Sequence, residues 1–281
     1  MQITRKNINL FLMDGEPSGR LKCSLLNWTG VGYKVPRSFL PQCADLKYLK
    51  QSGVYFLFGA DNEGNPAVYV GQAGARKNKE GLLNRIKEPH NSIELWTDSV
   101  MFTTTNDSLG PTEISFLENR FCNMAMRAKR YIVKNANDPS PGNLTEEKEA
   151  EMEEFIRYTS LVIGVLGYKV FEPLIPVDVA DSRTTVLYFK KTGIDAKALI
   201  TNEGFVLCQG SQISPATTKS CPAIALNMRK KYNGLIKDWT TMEDILFTSP
   251  SSAAAFVGGS SLSGNEMWRT ADGTPLKALN K

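Results

Sequence analysis

The sequence predicts an α+β fold, in which helices flank a small mixed or antiparallel sheet. A β-rich N-terminal extension precedes that core, and a separate small α+β C-terminal domain follows it. Three observations predict this arrangement. Short apolar runs bounded by Gly, Pro, Asn and Asp crowd the stretch from Ile8 to Thr104, the pattern of strands joined by tight turns. A long segment at helical period follows from Thr112. After a linker-like stretch at residues 178–183, strands resume and helices follow, as a second unit with its own layers requires.

Taken in chain order, residues 8–13, 20–26 and 31–35 read as an antiparallel meander that ends where Pro36 and Pro41 interrupt it. Residues 53–58 and 67–70 flank the turn cluster Asp61-Asn62-Glu63-Gly64-Asn65-Pro66 and predict a hairpin. A short helix over 81–87 is stopped by Pro89, and 99–104 is a further strand. The spacing predicts a helix over 112–133, with Pro111 before it and Thr112 as its N-cap. On that helix Ile114, Leu117, Phe121, Met124, Ala125 and Ala128 share one stripe. Residues 135–143 read as loop, and Thr145 opens another helix whose acid-rich start at 146–154 is a solvated face. Beyond the linker, strands are expected at 185–190, 196–201 and 204–209, and a basic helix near 223–232. Ser249-Pro250 begins the last helix, and a closing hairpin turns at Asp272-Gly273. The implied domains are 1–48, 49–176 and 184–281.

With 42% hydrophobic and 22% charged residues, the 281-residue chain can build a core without disulfides or a structural metal. Its five cysteines are scattered with no C-x-x-C pair, and its single histidine, His90, is remote from them. That excludes a zinc ribbon and a secreted disulfide framework. No apolar run approaches the roughly 20 residues that span a bilayer, and the first ten residues are polar, so the chain reads as cytoplasmic with no membrane partner. A net charge of +4 is mildly basic. Its distribution says more: Arg76, Lys77, Lys79, Arg85 and Lys87 crowd one stretch, and Arg120, Arg127, Lys129, Arg130 and Lys134 another. Such clusters are compatible with nucleic-acid binding.

Four side chains could carry chemistry. If Leu57 pairs opposite Tyr69, then Tyr55 and Tyr69 project from one face of the hairpin as diagonal neighbours. Arg85, on the short helix, has the planar fork that grips a phosphate. Glu118 falls inside the apolar arc of the long helix. A carboxylate there must pair, hold a metal or shift its pKa; a structural ion pair and metal ligation are both open on these residues alone.

Gly53-Val54-Tyr55, then Tyr69-Val70-Gly71, Arg85, Glu118 on a helix and a later Asn137 resemble, in order, the landmarks of the GIY-YIG nucleases. The resemblance covers about residues 53–172. The flanks, including Thr201-Asn202-Glu203-Gly204-Phe205 and Ser249-Pro250-Ser251-Ser252, are similar to a bacterial subgroup whose nuclease is fused to a C-terminal domain of unknown function. The chain departs from the family at one point. Members commonly place His or Tyr four residues after the arginine, where this chain has Pro89, with His90 one later.

The resemblance implies a divalent-metal-dependent endonuclease acting on nucleic acid, DNA in preference to RNA. Glu118 would hold one Mg²⁺ or Mn²⁺ ion, and Arg85 would bind the scissile phosphate. Tyr69 would take the proton from the attacking water, with Tyr55 positioning it. Gly71, His90 and Asn137 would contact substrate. A phenol ordinarily ionises near ~10, so a nearby cation is needed to make it a base at neutral pH. The resemblance also implies a homodimer or a protein partner engaged by the C-terminal domain. The alternative is a catalytically silent nucleic-acid-binding or regulatory module on the same fold.

Overall fold

The structure is a computed structural model, and it describes residues 5–74, 81–90, 93–135, 139–175 and 185–279. The chain is α+β and divides into two compact units, Met1–Pro173 and Leu174–Lys281.

The first unit is built on strands β1 (Ile8–Leu12), β2 (Leu21–Leu25), β3 (Gly30–Pro36), β4 (Gly53–Ala60), β5 (Pro66–Ala73), β6 (Trp96–Thr104) and β7 (Ile132–Val133). They form one sheet in the order β1-β2-β3-β6-β4-β5-β7. Every adjacent pair is antiparallel except β5 and β7. Helices α1 (Leu82–Lys87), α2 (Pro111–Ala128) and α3 (Glu146–Val165) accompany it.

Strand alternation sorts the side chains of β4 onto two faces. Val54, Phe56 and Phe58 join Leu117 and Phe121 of α2 and Phe155 and Val162 of α3 in one core. Tyr55 and Leu57 point the other way, into a second core with Leu82, Leu83 and Ile86 of α1. Both faces are covered, so β4 is an almost unbroken apolar run instead of an alternating one.

The structure differs from expectation at several ends, each for a physical reason. The strands expected before residue 48 do not stand apart from the sheet that follows. β3 pairs with β6 along its whole length, from Gly30 opposite Thr104 to Pro36 opposite Asp98. That pairing is long-range, and no local pattern announces it. Helix α2 stops at Ala128 and not near Val133, because Lys129 turns left-handed at φ 54° and its N–H returns to the Ala125 carbonyl. Ile132 and Val133 are then free to pair with Ala67 and Val68. The N-cap of α2 is Gly110, with Pro111 in the first turn, and not Thr112. Thr145 caps α3 as the sequence predicts.

The second unit holds β8 (Val186–Lys191), β9 (Ile194–Thr201), β10 (Gly204–Leu207), α4 (Ala223–Lys231), a ribbon of β11 (Ile236–Lys237) with β12 (Thr240–Thr241), and β13 (Ile245–Phe247). Helices α5 (Pro250–Gly258), α6 (Gly264–Met267) and α7 (Leu276–Leu279) complete it. Its antiparallel sheet runs β13-β10-β9-β8. Phe189, Phe205 and Phe247 of that sheet share a core with Trp268, which follows α6, and with Phe256 and Val257 of α5. Ser249 caps α5 by accepting from Ser252 N at 3.1 Å. The closing hairpin is shorter than expected: a turn at Asp272-Gly273 carries one bridge, Arg269 with Pro275. The linker expected at 178–183 lies outside the described residues.

One cation of the basic helix α4 is committed to structure, while Lys230 and Lys231 are exposed. Arg229 is half-buried, and donates from Nε to the Phe256 carbonyl at 2.8 Å and from Nη1 to the Ser214 carbonyl at 2.9 Å. It thereby satisfies a carbonyl at the C-terminal end of α5, where a cation also suits the helix dipole.

Candidate functional site

The β4–β5 hairpin sets the geometry. Leu57 stands opposite Tyr69, and Tyr55 opposite Gly71. The two phenols are therefore diagonal neighbours on one face, with ring centres 6.1 Å apart. Gly71 has no side chain to fill the space above its backbone, and the Tyr55 ring lies there instead. A Cβ at position 71 would sit 2.4 Å from Tyr55 Cζ and 2.5 Å from its Oη. The phenol of a central strand is thus carried across its neighbour toward the edge of the sheet.

Among the described residues that edge is only partly covered. β7 pairs with β5 at Ala67 and Val68 alone. The Asn135 side chain then takes the place of a strand residue: it accepts from Val70 N at 3.1 Å and donates to Val70 O at 2.7 Å. Gly71, Gln72 and Ala73 lie beyond this lock. By alternation Gln72 faces α2 while Tyr69 and Gly71 face α1. Gln72 Nε2 donates to Glu118 Oε2 at 2.9 Å. Glu118 of α2 and the tyrosines thus belong to opposite faces of β5, yet Glu118 is near enough to Tyr55 for its charge to act on that phenol.

His90 fills the space beside the two phenols, with its ring centre 5.7 Å from that of Tyr55 and 5.6 Å from that of Tyr69. It is buried. Its Nε2 donates to the Arg85 carbonyl at 3.2 Å, a tautomer assigned from the partner, since a carbonyl only accepts. The extra residue before the histidine does not remove it from the site. Pro89 ends α1, and His90 folds back over its last turn. Arg85 forms an ion pair with Glu88 through Nη1, and its side chain is about one-third exposed.

Electrostatics tie these groups together. Tyr55 has no solvent exposure, and its Oη has no hydrogen-bond partner among the described residues. Burial pushes this phenol far above its ordinary pKa; Tyr69 adds to the shift, and Arg85 opposes it. Burial also raises the half-buried Glu118 carboxyl, against the Gln72 hydrogen bond and the Arg85 charge. His90 is lowered by burial and then by the Arg85 charge, so the imidazole is neutral at pH 7. One guanidinium therefore acts on a phenol, a carboxylate and an imidazole at once.

Of the residues singled out in the sequence, Tyr55, Tyr69, Gly71, Arg85, His90 and Glu118 come together here, while Asn137 lies outside the described residues. Three groups were missed. Gln72 was readable from strand alternation, which turns it toward the helix that carries Glu118. Glu88, three residues after Arg85 on the same turn, had the i,i+3 signal. Asn135 had none, because its partner is a backbone 65 residues away. The second basic stretch is partly committed to structure, since Arg120 pairs with Glu153 and Arg130 Nη1 donates to the Glu172 carbonyl at 3.3 Å.

Among the described residues no cluster of three or more His, Cys, Asp or Glu side chains could hold a metal ion. A site with one protein ligand is still chemically sound. Burial disfavours the ionised form of Glu118, and a divalent cation would restore it. Mg²⁺ and Mn²⁺ accept a single carboxylate when water and phosphate oxygens complete the shell. The residues present fit such an ion.

Gly71→Ala should lower stability by about 1–3 kcal/mol, because the added methyl must displace the Tyr55 ring from a packed core. Urea unfolding of the variant measures this. An unchanged midpoint would mean that the ring moves aside freely.

Residues 187–280 match a family described as a domain of unknown function (DUF4357). The C-terminal region is therefore a domain of unknown function, as the resemblance of the flanks implied. No curated protein and no solved structure matches the chain. No helix among the described residues is long and apolar enough to cross a membrane.

Proposed function

We propose that the N-terminal unit is a divalent-metal-dependent nuclease of the GIY-YIG type, hydrolysing phosphodiester bonds in nucleic acid, with DNA the favoured substrate. The observation that carries this reading is the buried Tyr55 hydroxyl. Among the described residues it has no partner in hydrogen-bonding geometry; it lies over Gly71, next to Tyr69, and feels the charges of Arg85 and Glu118. A buried hydroxyl left unpaired is costly unless something else occupies the site during function. A water or a phosphate oxygen would satisfy it.

Hydrolysis of a phosphodiester needs an activated water and stabilisation of charge on the phosphoryl oxygens. When bound at Glu118, a divalent cation supplies a Lewis acid for the phosphate and favours ionisation of nearby water. Gln72 orients the Glu118 carboxylate. Arg85 releases Glu88 and grips two phosphate oxygens with its fork. Tyr69, which is half-exposed, would take the proton from the attacking water as its phenolate, the form a nearby cation favours, and the leaving sugar oxygen would take a proton from solvent water. Tyr55, whose ionisation burial suppresses, stays protonated and donates to the incoming oxygen. His90 holds both rings in register. Asn137 is assigned a backbone-phosphate contact by resemblance alone.

The full-length protein, incubated with single- and double-stranded DNA and RNA and Mg²⁺ or Mn²⁺, should release fragments, and EDTA should stop it. Equal binding with and without metal, and products in neither, would replace the nuclease with a silent binding module.

A further inference from the structure

The C-terminal unit carries a second surface, which the nuclease reading does not use. β8 is the outer strand of its sheet. Beyond it Tyr188 and Arg269 exchange backbone hydrogen bonds, Tyr188 N to Arg269 O at 2.7 Å and Arg269 N to Tyr188 O at 3.0 Å. On its inner side Tyr188 stands opposite Lys197 of β9. Residues directly opposed in antiparallel strands project from the same face. Arg269, Tyr188 and Lys197 therefore form one row, with an aromatic ring between two cations.

Lys190 projects from that face two residues along, with Nζ 5.8 Å from the centre of the Tyr188 ring. Leu187, Phe189, Ala196 and Ala198 take the other face into the core. The row is consequently on the solvent side: Lys190, Lys197 and Arg269 are exposed, and Tyr188 is half-buried. Tyr188 also forms the wall shared by two clefts. One, of about 370 Å³, is lined by Lys197, by Asp195 and by the polar Gln209, Ser211 and Gln212. The other, of about 580 Å³, is lined by Lys190, Glu266, Met267 and Arg269.

A ring held at its base, with a cleft and a cation on either side, suits one kind of partner. A base can stack on the ring, the adjoining phosphates meet the cations, and the amides reach base edges. A duplex keeps its base faces covered and could use only the cations. The acids on this surface do not reverse its sign. Glu266 is ion-paired with Lys277, and Asp195 stands opposite Lys190. The Arg269 fork is steadied by Nη1 donating to the Gly273 carbonyl at 3.0 Å, which leaves its other donors for phosphate.

We propose that this face of the C-terminal domain binds single-stranded nucleic acid, with a base stacked on Tyr188 and neighbouring phosphates held by Lys190, Lys197 and Arg269. The inference stands apart from the nuclease reading, since none of these groups belongs to the site around Tyr55.

Fluorescence anisotropy of the full-length protein with a labelled short oligothymidylate, in EDTA and at several salt concentrations, tests it. Tyr188→Ala should weaken binding about tenfold or more, while Tyr188→Phe, which keeps the π-face, should bind like the unsubstituted protein. Lys197→Ala with Arg269→Ala should weaken binding and flatten its salt dependence. Both side chains are exposed, and thermal melts of each variant check that the fold persists. Repeating the series on an Arg85→Ala background removes any contribution from the N-terminal site. Equal affinity for Tyr188→Ala and the unsubstituted protein would overturn the proposal. So would a Tyr188→Phe defect as large as that of Ala, a duplex held as tightly as the single strand, or an oligoglutamate peptide that competes on equal terms. A protein that never cleaves but shows these differences loses the nuclease reading and keeps this one.

Discussion

Glu118→Gln should reduce cleavage in Mg²⁺ by about a thousandfold or more while leaving nucleic-acid affinity in EDTA unchanged. The amide has the size of the carboxylate, and its oxygen can still accept from Gln72 Nε2, now 2.9 Å from Glu118 Oε2. What it lacks is the negative charge that would hold a divalent cation. The metal supplies several kcal/mol of charge stabilisation to a phosphoryl transition state, and each 1.4 kcal/mol is about a factor of ten. Stability should move the other way. Burial raises the Glu118 pKa in the folded protein, so its favourable contribution is fully present below the unfolded carboxylate pKa and is lost as pH rises through the folded one. At neutral pH the ionised carboxylate is therefore a destabilising group, and Glu118→Gln should melt at the same temperature or slightly higher. That advantage should vanish in acid. Single-turnover cleavage and a pH series of thermal melts together separate the roles. A variant that cuts normally is not missing its metal ligand, and one that melts well below the unsubstituted protein has lost a structural ion pair instead.

How far the site was legible depends on the range of the forces that build it. The hairpin was readable because its turn cluster is local. The register that puts Leu57 opposite Tyr69 was only one of the pairings open, since β4 is buried on both faces and its apolar pattern does not choose between them. The N-caps Thr145 and Ser249 were readable as that turn was, since each needs only residues three positions on. The insertion of β6 between β3 and β4 was not readable. It joins residues some seventy positions apart, and the apolar pattern of β6 would suit any sheet interior. α2 was carried too far because Tyr131, Ile132 and Val133 continue an apolar stretch. Only the presence of β5 beside them turns that stretch into a strand. In the site itself, Tyr55, Tyr69 and Glu118 announced themselves as polar groups on apolar faces. Gln72 and Asn135 did not, because each is ordinary in sequence and acts through a partner from a distant element. His90 illustrates a different limit. Helical spacing places it one residue away from the family position, yet Pro89 breaks the helix there, so spacing no longer decides where the imidazole points.

Arg85→Lys should cut the single-turnover rate by about a hundred- to a thousandfold, the range seen when one preorganised donor to a developing oxyanion is removed. Lysine keeps the positive charge, and with it the pull of position 85 on Tyr55, Glu118 and His90. It loses the planar fork that meets two phosphate oxygens together. Ground-state binding, which a point charge can serve, should fall much less than the chemical step, so the defect should appear mainly in kcat. Stability should scarcely change, because the ion pair with Glu88 that Arg85 makes in the resting site is about one-third exposed at each partner. Such pairs contribute about 0–1 kcal/mol. These expectations divide the two roles open to this arginine. If its work ends at Glu88, the lysine variant cleaves at nearly the normal rate. If the fork leaves Glu88 for the scissile phosphate, the variant still binds nucleic acid and melts normally but barely cuts, and added Mg²⁺ does not rescue it, because the missing contact belongs to the guanidinium and not to the cation.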